Sequence, residues 1–402
     1  MRFKNTFLSI TAAAAISGLS GSAIANNLPK INGVSSTDVT TVPYSPYIDL
    51  TLTVSGTSPL DLNQLASKAK INKLTLAFIQ APRDSGECTA TWGGLYPLSW
   101  AKNDITSFES AHPGGLTASI GGQLAGATGE TLAEVCGNPT DLENAYASIV
   151  QAYNTKHVDF DVEGAFLDNA AAIDRMALAI KKLQADNPDL AVSFTLPVMP
   201  TGLDTRGKNF VQKMREGGVI DFTVNIMAMD YGLQSPTRNM ALDAEQAAEN
   251  TSEQLGLPLS KISVTPMIGY NDTAFENSPS EIFTIVDAQQ FYAWANQSKI
   301  HSIGAWSINR DHPCMGPKGT KPNNNCSDVP QGQYSFSSIF QGGNPTPIKK
   351  AVTVNVTFDL AGSYYSKEVY LDGEATPEMI PVTDDKGQFK VFEGAHTLTF
   401  TN

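Results

Sequence analysis

Val158-Asp159-Phe160-Asp161-Val162-Glu163 alternates apolar and acidic residues without a break. Side chains along a β-strand point to opposite faces in turn. Extended, this stretch puts Val158, Phe160 and Val162 on one face and three carboxyl groups on the other. The apolar row needs a covering layer to leave water, so the acids point into whatever the other face encloses. Same-face neighbours sit about 7 Å apart, and desolvated like charges at that range raise one another's pKa. Folding alone does not ask for this, since three apolar residues would pack better. The pattern reads as chemistry, against the alternatives of a solvated acidic edge strand or an internal ion-pair network.

Strand signals recur outward from this stretch, with helical signals between them. They fall at 47–52 (YIDLTL), 73–80 (KLTLAFIQ), 116–122 (LTASIGG), 158–163, 191–197 (AVSFTLP), 222–229 (FTVNIMAM), 262–270 (ISVTPMIGY) and 303–308 (IGAWSI). Several are near-continuous apolar runs, as parallel strands covered on both faces require. Leu142, Tyr146, Ile149 and Tyr153 form one helical stripe, and Ile173, Met176, Ile180 and Leu183 another, which Asn187-Pro188 stops. Further helices are predicted near 60–69, 209–215, 240–254 and 287–297. Eight strands alternating with helices predict an α/β fold, a (β/α)8 TIM barrel over 42–340. A doubly wound sheet would want a GxGxxG after its first strand, and none stands there. In a barrel, Glu163 comes at the C-terminal end of the fourth strand, where active sites open. A carboxyl of raised pKa at that mouth suits a general acid.

Four stretches, in order and on the expected strands, resemble the chitinases of glycoside hydrolase family 18. Asp159, Asp161 and Glu163 match the last three acids of that family's D-x-x-D-x-D-x-E; Lys156 stands at the first acid and His157 where glycine is usual. Ser119-Ile120-Gly121-Gly122 meets the family's S-x-G-G on the third strand. Met227-Ala228-Met229-Asp230 resembles M-x-Y-D on the sixth, with Met229 in the tyrosine's place. Trp306 on the eighth matches the tryptophan at the floor of the sugar site. The resemblance runs from about 47 to 311. It implies that Glu163 protonates the glycosidic oxygen, Asp161 holds the substrate's acetamido N–H and Asp159 tunes Asp161. It also implies that the acetamido carbonyl attacks the anomeric carbon, so configuration is retained and no second catalytic carboxylate is needed.

The partner so implied is chitin or its oligosaccharides, met by Trp306, Met227, Met229, Asp230, Ser119, Gly122 and Trp92. Tyr231 shares the face of Met229 if extended geometry persists; it then takes over the missing tyrosine's role, and otherwise is a loop residue at the rim. Trp92 and Trp100 (TWGGLYPLSW) either line the cleft or anchor their loop, and Trp294 reads as core. Two other functions stay open. One is a non-catalytic chitin-binding lectin, against which the retained Glu163 weighs; the other is an endo-β-N-acetylglucosaminidase acting on N-glycans. No long insertion separates the seventh and eighth strands, which predicts a shallow cleft and endo action.

Among the 402 residues, 27 Lys and Arg face 40 Asp and Glu, a net charge of −13. That excess argues against nucleic acid and against an anionic membrane surface as partners. Residues 1–25 have the three parts of a secretory signal: Arg2 and Lys4, an apolar run, and Ala23-Ile24-Ala25. The protein is therefore expected outside the cytoplasm, extracellular or periplasmic, with a monomer as the default. Four cysteines fall in two near pairs, Cys88 with Cys136 and Cys314 with Cys326. An even count in an exported chain predicts disulfides, with free thiols as the alternative. No zinc spacing, HExxH or P-loop is found, so no metal or organic cofactor is expected. His112, His157, His301, His312 and His396 are read as structural, His157 facing outward. Residues 341–350 (QGGNPTPIKK) read as a linker and 351–402 as a small β-sandwich-like module. There Tyr364, Tyr365 and Tyr370 are either a sugar-facing surface or ordinary core.

Overall fold

Eight parallel strands form the wall: β1 (Tyr47–Asp49), β2 (Leu74–Gln80), β3 (Leu116–Gly121), β4 (His157–Asp161), β5 (Ala191–Pro197), β6 (Phe222–Ala228), β7 (Ile262–Pro266) and β8 (Ser302–Ile303). They pair in chain order from β1 to β8. Closure comes from bonds between the segments at β1 and β8: Ser45 N to Ile303 O at 2.9 Å, Ile303 N to Pro43 O at 2.8 Å, and Tyr47 N to Ala305 O at 3.0 Å. This is the expected (β/α)8 barrel. The computed structural model describes residues 41–52, 61–233, 238–273, 281–314 and 322–347, and the backbone of five strands within 351–400. The expected signal segment 1–25 and Tyr364 and Tyr365 lie outside the described residues.

A helix follows each strand: α1 (Leu62–Ala69), α2 (Lys102–Ala111), α3 (Pro139–Tyr153), α4 (Ala170–Asp186), α5 (Thr205–Glu216), α6 (Met240–Leu255), α7 (Ile285–Ser298) and α8 (Ser335–Phe340). Local chemistry sets their ends. Asn138 caps α3 by accepting from Thr140 N and Asp141 N, with Pro139 in the first turn. Thr284 and Asp287 close a reciprocal capping box on α7. The stripes read from the sequence face inward. Tyr146 of α3 meets Phe160 of β4 edge-on at 5.0 Å, and Phe160 meets Phe194 of β5 at 5.9 Å. The even-numbered face of β4 is thus the helix-packed face, leaving the acids to the interior.

β2 and β5 end where predicted, and the other six strands stop short of their predicted C-terminal ends. β4 ends at Asp161, β6 at Ala228 and β7 at Pro266, although Val162 N still donates to Thr195 O at 2.9 Å. α2 and α8 carry no stripe that was read beforehand. An unpredicted hairpin, Thr91–Trp92 with Tyr96–Pro97, adds antiparallel to β2. Both expected disulfides are present, Cys88–Cys136 and Cys314–Cys326.

The chain divides into two units at Ile348/Lys349. Residues 341–347 belong with the barrel: Ser338 Oγ donates to Asn344 O at 2.6 Å, and Thr346 N donates to Ser335 Oγ at 3.1 Å. Most of the expected linker is therefore tied down by hydrogen bonds. In the second unit, Ala351–Thr357 pairs antiparallel with Lys386–Phe392, and Val369–Leu371 pairs with Glu374–Ala375 and Leu398–Phe400. No helix among the described residues is long and apolar enough to cross a membrane.

Candidate active site

Asp159 sits in the barrel interior at 1% exposure, ringed by four hydroxyls from three strands, β1, β3 and β5. Ser193 Oγ donates to its Oδ1 at 2.6 Å and Thr195 Oγ1 at 2.8 Å; Ser119 Oγ donates to its Oδ2 at 2.8 Å and Tyr47 OH at 3.0 Å. Strand register gathers them, since Asp159 pairs with Ser119 on β3 and with Ser193 on β5. Burial holds the Asp159 carboxyl above the usual range, and the four hydroxyl bonds offset part of that rise. With four donors aimed at two oxygens, geometry leaves the charged form as the fitting one.

Asp161, one pleat nearer the mouth, is also buried, but its Oδ1 has no partner among the described residues. Its carboxyl is raised well above the usual range, first by burial, then by the charges of Glu163 and Asp159. Glu163 is half-buried at the end of the row, in extended backbone ahead of the 3-10 turn Gly164–Asp168. It is raised by burial, lowered by a hydrogen bond with Asp161, and raised again by Asp230. Both carboxyls are thus biased toward the protonated form, and their titrations are linked.

Aromatic rings flank the acids. Trp306 is half-exposed and stacks on half-exposed Phe78, centroids 5.5 Å apart and planes 19° apart; Tyr47 leans on both. The Ala77–Phe78 and Trp306–Ser307 peptide bonds are cis. Gly121 and Gly122 explain the S-x-G-G stretch. Their φ values are 117° and 91°; a Cβ on Gly121 would meet the Asp161 carbonyl oxygen at 2.1 Å, and one on Gly122 the Phe78 ring at 2.8 Å. Glycine is needed for β3 to lie this close to β4 and to the aromatic floor.

Several expectations change. Ser119 is fully buried and spends its hydroxyl on Asp159, so it supports an acid and is not at the substrate. Gly122 backs Phe78 and has no side chain to offer a sugar. Trp92 is fully buried, its Nε1 donating to Tyr153 OH at 2.8 Å, so it anchors the hairpin; half-buried Trp100 stacks on Tyr96 at 4.4 Å. Half-buried Trp294 packs on Phe291 of α7. His157 does not face outward. It shares the odd-numbered face with the acids, its Nδ1 3.1 Å from Thr117 Oγ1 and its Nε2 3.0 Å from Ser193 Oγ.

Met227, Met229 and Asp230 are half-buried at the end of β6. Extended geometry stops there: Met229 N bonds Met227 O at 2.9 Å and Asp230 turns to φ 50°. The alternation that would align Tyr231 with Met229 is thereby broken. Tyr231 is buried, with Arg238 over its ring at 5.6 Å and no hydrogen-bond partner for its hydroxyl among the described residues. Burial raises its pKa, and the nearby charges are Asp243, Arg238 and Glu281, none of the β4 acids. Asp230 is pinned by Asn271, which accepts its N–H at 3.0 Å, and by Thr273, whose N–H it accepts at 3.2 Å. Its carboxyl is pushed up to about 6, first by burial and then by Asp272. Buried Glu281 holds the loop below by accepting from Gly232 N, Leu233 N and the Thr273 hydroxyl.

Tyr47, Phe78, Ser193, Thr195, Asn225 and Glu281 escaped the sequence reading. Ser193 and Thr195 share β5, alternating with Val192, Phe194 and Leu196, but small hydroxyls carry no charge to mark them; each of the others is one residue on its own strand or loop. Cys314, Cys326 and Asp328 place metal-type donors close together, but both sulfurs belong to a disulfide.

No family model matches the chain. It is similar to a protein named "Probable bifunctional chitinase/lysozyme" from Escherichia coli (strain K12), 34% identical over 319 residues, which are 74% of this chain and 34% of that protein. It is also similar to Endochitinase 11 of Metarhizium anisopliae, 33% identical over 67% of this chain and 52% of the relative. The chain thus spans about a third and about half of these two curated relatives. Among solved structures it is similar to the catalytic domain of a hyperthermophilic chitinase from Pyrococcus furiosus. The identity is 30%, with 74% of this chain and 93% of that one covered and a TM-score of 0.63. Catalytic-site mutants of active domain 2 of the thermostable chitinase from the same organism, complexed with chito-oligosaccharides, match at 29% identity and TM-score 0.63.

Proposed function

The chain belongs to glycoside hydrolase family 18, the family of the chitinases, and from that premise we propose that it hydrolyses β-1,4 linkages in N-acetylglucosamine polymers. The observation that carries the reading is the Asp161–Glu163 pair, raised by burial and set above a charged, fully donated Asp159. Glu163 gives its proton to the glycosidic oxygen as the bond to the leaving sugar breaks. The acetamido carbonyl of the retained sugar closes on the anomeric carbon. Asp161 accepts the acetamido N–H and balances the positive charge that grows on the ring so formed. Glu163, now a carboxylate, takes a proton from water as the water oxygen attacks the same carbon and reopens the ring, which retains configuration. Trp306, backed by Phe78, offers a flat apolar face to the C–H side of the bound sugar. Met227, Met229 and Asp230 line the same mouth, and Tyr231 contributes its hydroxyl to the acetamido group.

The connection between β7 and β8 supports endo action on long chains. Its described part holds the pair Gly269–Tyr270 with Ile282–Phe283 and the helix α7, with no added domain among the described residues of this connection. The disulfides fit an exported protein. The test is to incubate purified protein with a chitin oligomer and with a high-mannose glycoprotein. Cleavage of the oligomer, lost by a factor of about 10²–10⁴ in Glu163→Gln, is expected. Cleavage of the glycoprotein alone would move the reading to an endo-β-N-acetylglucosaminidase, and cleavage of neither to a lectin. Disaccharide as the sole early product from polymer would overturn endo action.

A further inference from the structure

His157 heads the inward row of β4 and takes no part in the reaction as written. The hydrogen bonds decide which ring nitrogen carries its proton. The Ser193 hydroxyl has one proton, and Asp159 Oδ1 takes it at 2.6 Å. Ser193 Oγ must then accept from the imidazole at 3.0 Å, so Nε2 bears the hydrogen and Nδ1 accepts from Thr117 at 3.1 Å. The ring is neutral at ordinary pH: burial first, then the charges of His301 and Lys73, lower its pKa to about 4. The opposite side of Asp159 repeats the device. Asn225 Nδ2 donates to Tyr47 OH and to Thr195 Oγ1, each at 3.0 Å, and Thr265 Oγ1 fixes the amide by donating to Asn225 Oδ1 at 2.9 Å. Behind three of the four hydroxyls, those of Ser193, Tyr47 and Thr195, stand N–H groups that fill their lone pairs and turn their protons toward Asp159.

All of these residues but Thr195 also line a chamber of about 270 Å³ at the N-terminal end of the barrel, away from Glu163 and Trp306. Lys73 and His301 stand among its lining residues near the strand starts.

We propose that His157 is a positioning residue for catalysis: through Ser193 it holds Asp159 as a carboxylate, and so sets the acid edge of the pH range in which Asp161 and Glu163 share one proton. The proposal rests on the reading of these acids as the catalytic set. The titratable groups facing Asp159 are Tyr47 from β1 and Asp161 and His157 from β4. β3, β5, β6 and β7 present only Ser119, Ser193, Thr195, Asn225 and Thr265, which do not titrate. Facing His157 are Thr117 and Ser193, with Lys73 and His301 beyond.

The direction of the effect follows from counting protons. In the active form Asp159 is charged and the pair above holds one proton. Adding a proton to Asp159 inactivates; removing the proton from the pair also inactivates, but leaves Asp159 charged as before. Weakening the support for the Asp159 carboxylate therefore moves the acid limb of the rate profile to higher pH and leaves the alkaline limb in place.

The experiment is kcat/KM against pH on a chitin oligomer, on the full chain. His157→Leu should move the acid limb up by about one pH unit, the scale of one hydrogen bond to a charge. Ser193→Ala should do the same. His157→Gln keeps an N–H toward Ser193 without a titrating ring and should restore the wild-type limb. An acid limb unmoved in both His157→Leu and Ser193→Ala, or a move to lower pH, overturns the proposal. Equal shifts in His157→Leu and His157→Gln also overturn it, since the ring's own titration would then be the cause. The carboxyl ¹³C titration of Asp159 in wild type and His157→Leu needs no turnover. It separates this proposal from the functional reading: an inactive wild type sinks the latter, and an unchanged Asp159 titration sinks the former.

Discussion

Asp159 and Asp161 lie two residues apart on one strand face, and their surroundings are opposite. Asp159 receives four hydroxyl protons, and N–H groups of His157 and Asn225 stand behind three of them. Asp161 has one oxygen with no partner among the described residues and shares the other side of its chemistry with Glu163. Both are buried, so burial is not what separates them. The difference is the supply of donors: where donors converge a charge stays, and where they are withheld a proton stays and can move. One strand thereby holds a fixed negative charge beneath a mobile proton, spaced by one pleat.

The strongest way to break this comparison is Asp161→Asn. An amide can neither hold the shared proton nor balance positive charge on the substrate, and kcat should fall by about 10²–10³. Stability should hold or rise by up to about 1 kcal/mol, because a poorly satisfied buried carboxyl has been neutralised. Thermal unfolding alongside kcat checks both halves. A protein that loses stability would show that Asp161 has donors of its own.

Asp159→Asn should invert the balance. The amide nitrogen would face hydroxyl protons that cannot all turn away, since His157 and Asn225 occupy the far sides of Ser193, Tyr47 and Thr195. Stability should drop by about 1–3 kcal/mol, and kcat by about 10–100-fold as Asp161 loses the charge that keeps its proton. Unchanged thermal unfolding would mean that the hydroxyl ring reverses freely, and the comparison would lose its physical basis.

The two layers were not equally readable in the sequence. The acids of β4 were, because period-2 alternation is a local pattern and Val158, Phe160 and Val162 mark its covered face. His157 carried the same signal, since it is odd-numbered like Asp159; strand parity alone places it inside. Tyr47, Ser193, Thr195 and Asn225 were hidden for another reason. They are uncharged polar residues on β1, β5 and β6, two of them on β5, and only barrel closure brings them within 3 Å of Asp159 or of one another. Trp92 misled because an aromatic residue in a loop can bind a sugar or fill a core with the same composition. Its bond to Tyr153 is a contact across 61 residues that no window spans.

Tyr231→Phe gives the smallest effect and sharpens the comparison most finely. Its strand parity with Met229 does not survive the turn at Asp230, so the case for it now stands on its hydroxyl. That hydroxyl is buried and has no partner among the described residues, while the ring is held under Arg238. A polar atom left this way is costly to the free protein, by about 1–3 kcal/mol, and like the free oxygen of Asp161 it has bonding capacity for a bound group. Removing it should therefore raise stability slightly while kcat falls by less than about tenfold, the scale of one neutral hydrogen bond made in the transition state. A gain in stability with unchanged kcat would assign the hydroxyl to no substrate contact. A loss of stability would mean that it has a partner within the protein, and Asp161 would then stand alone as the acid layer's unsatisfied group.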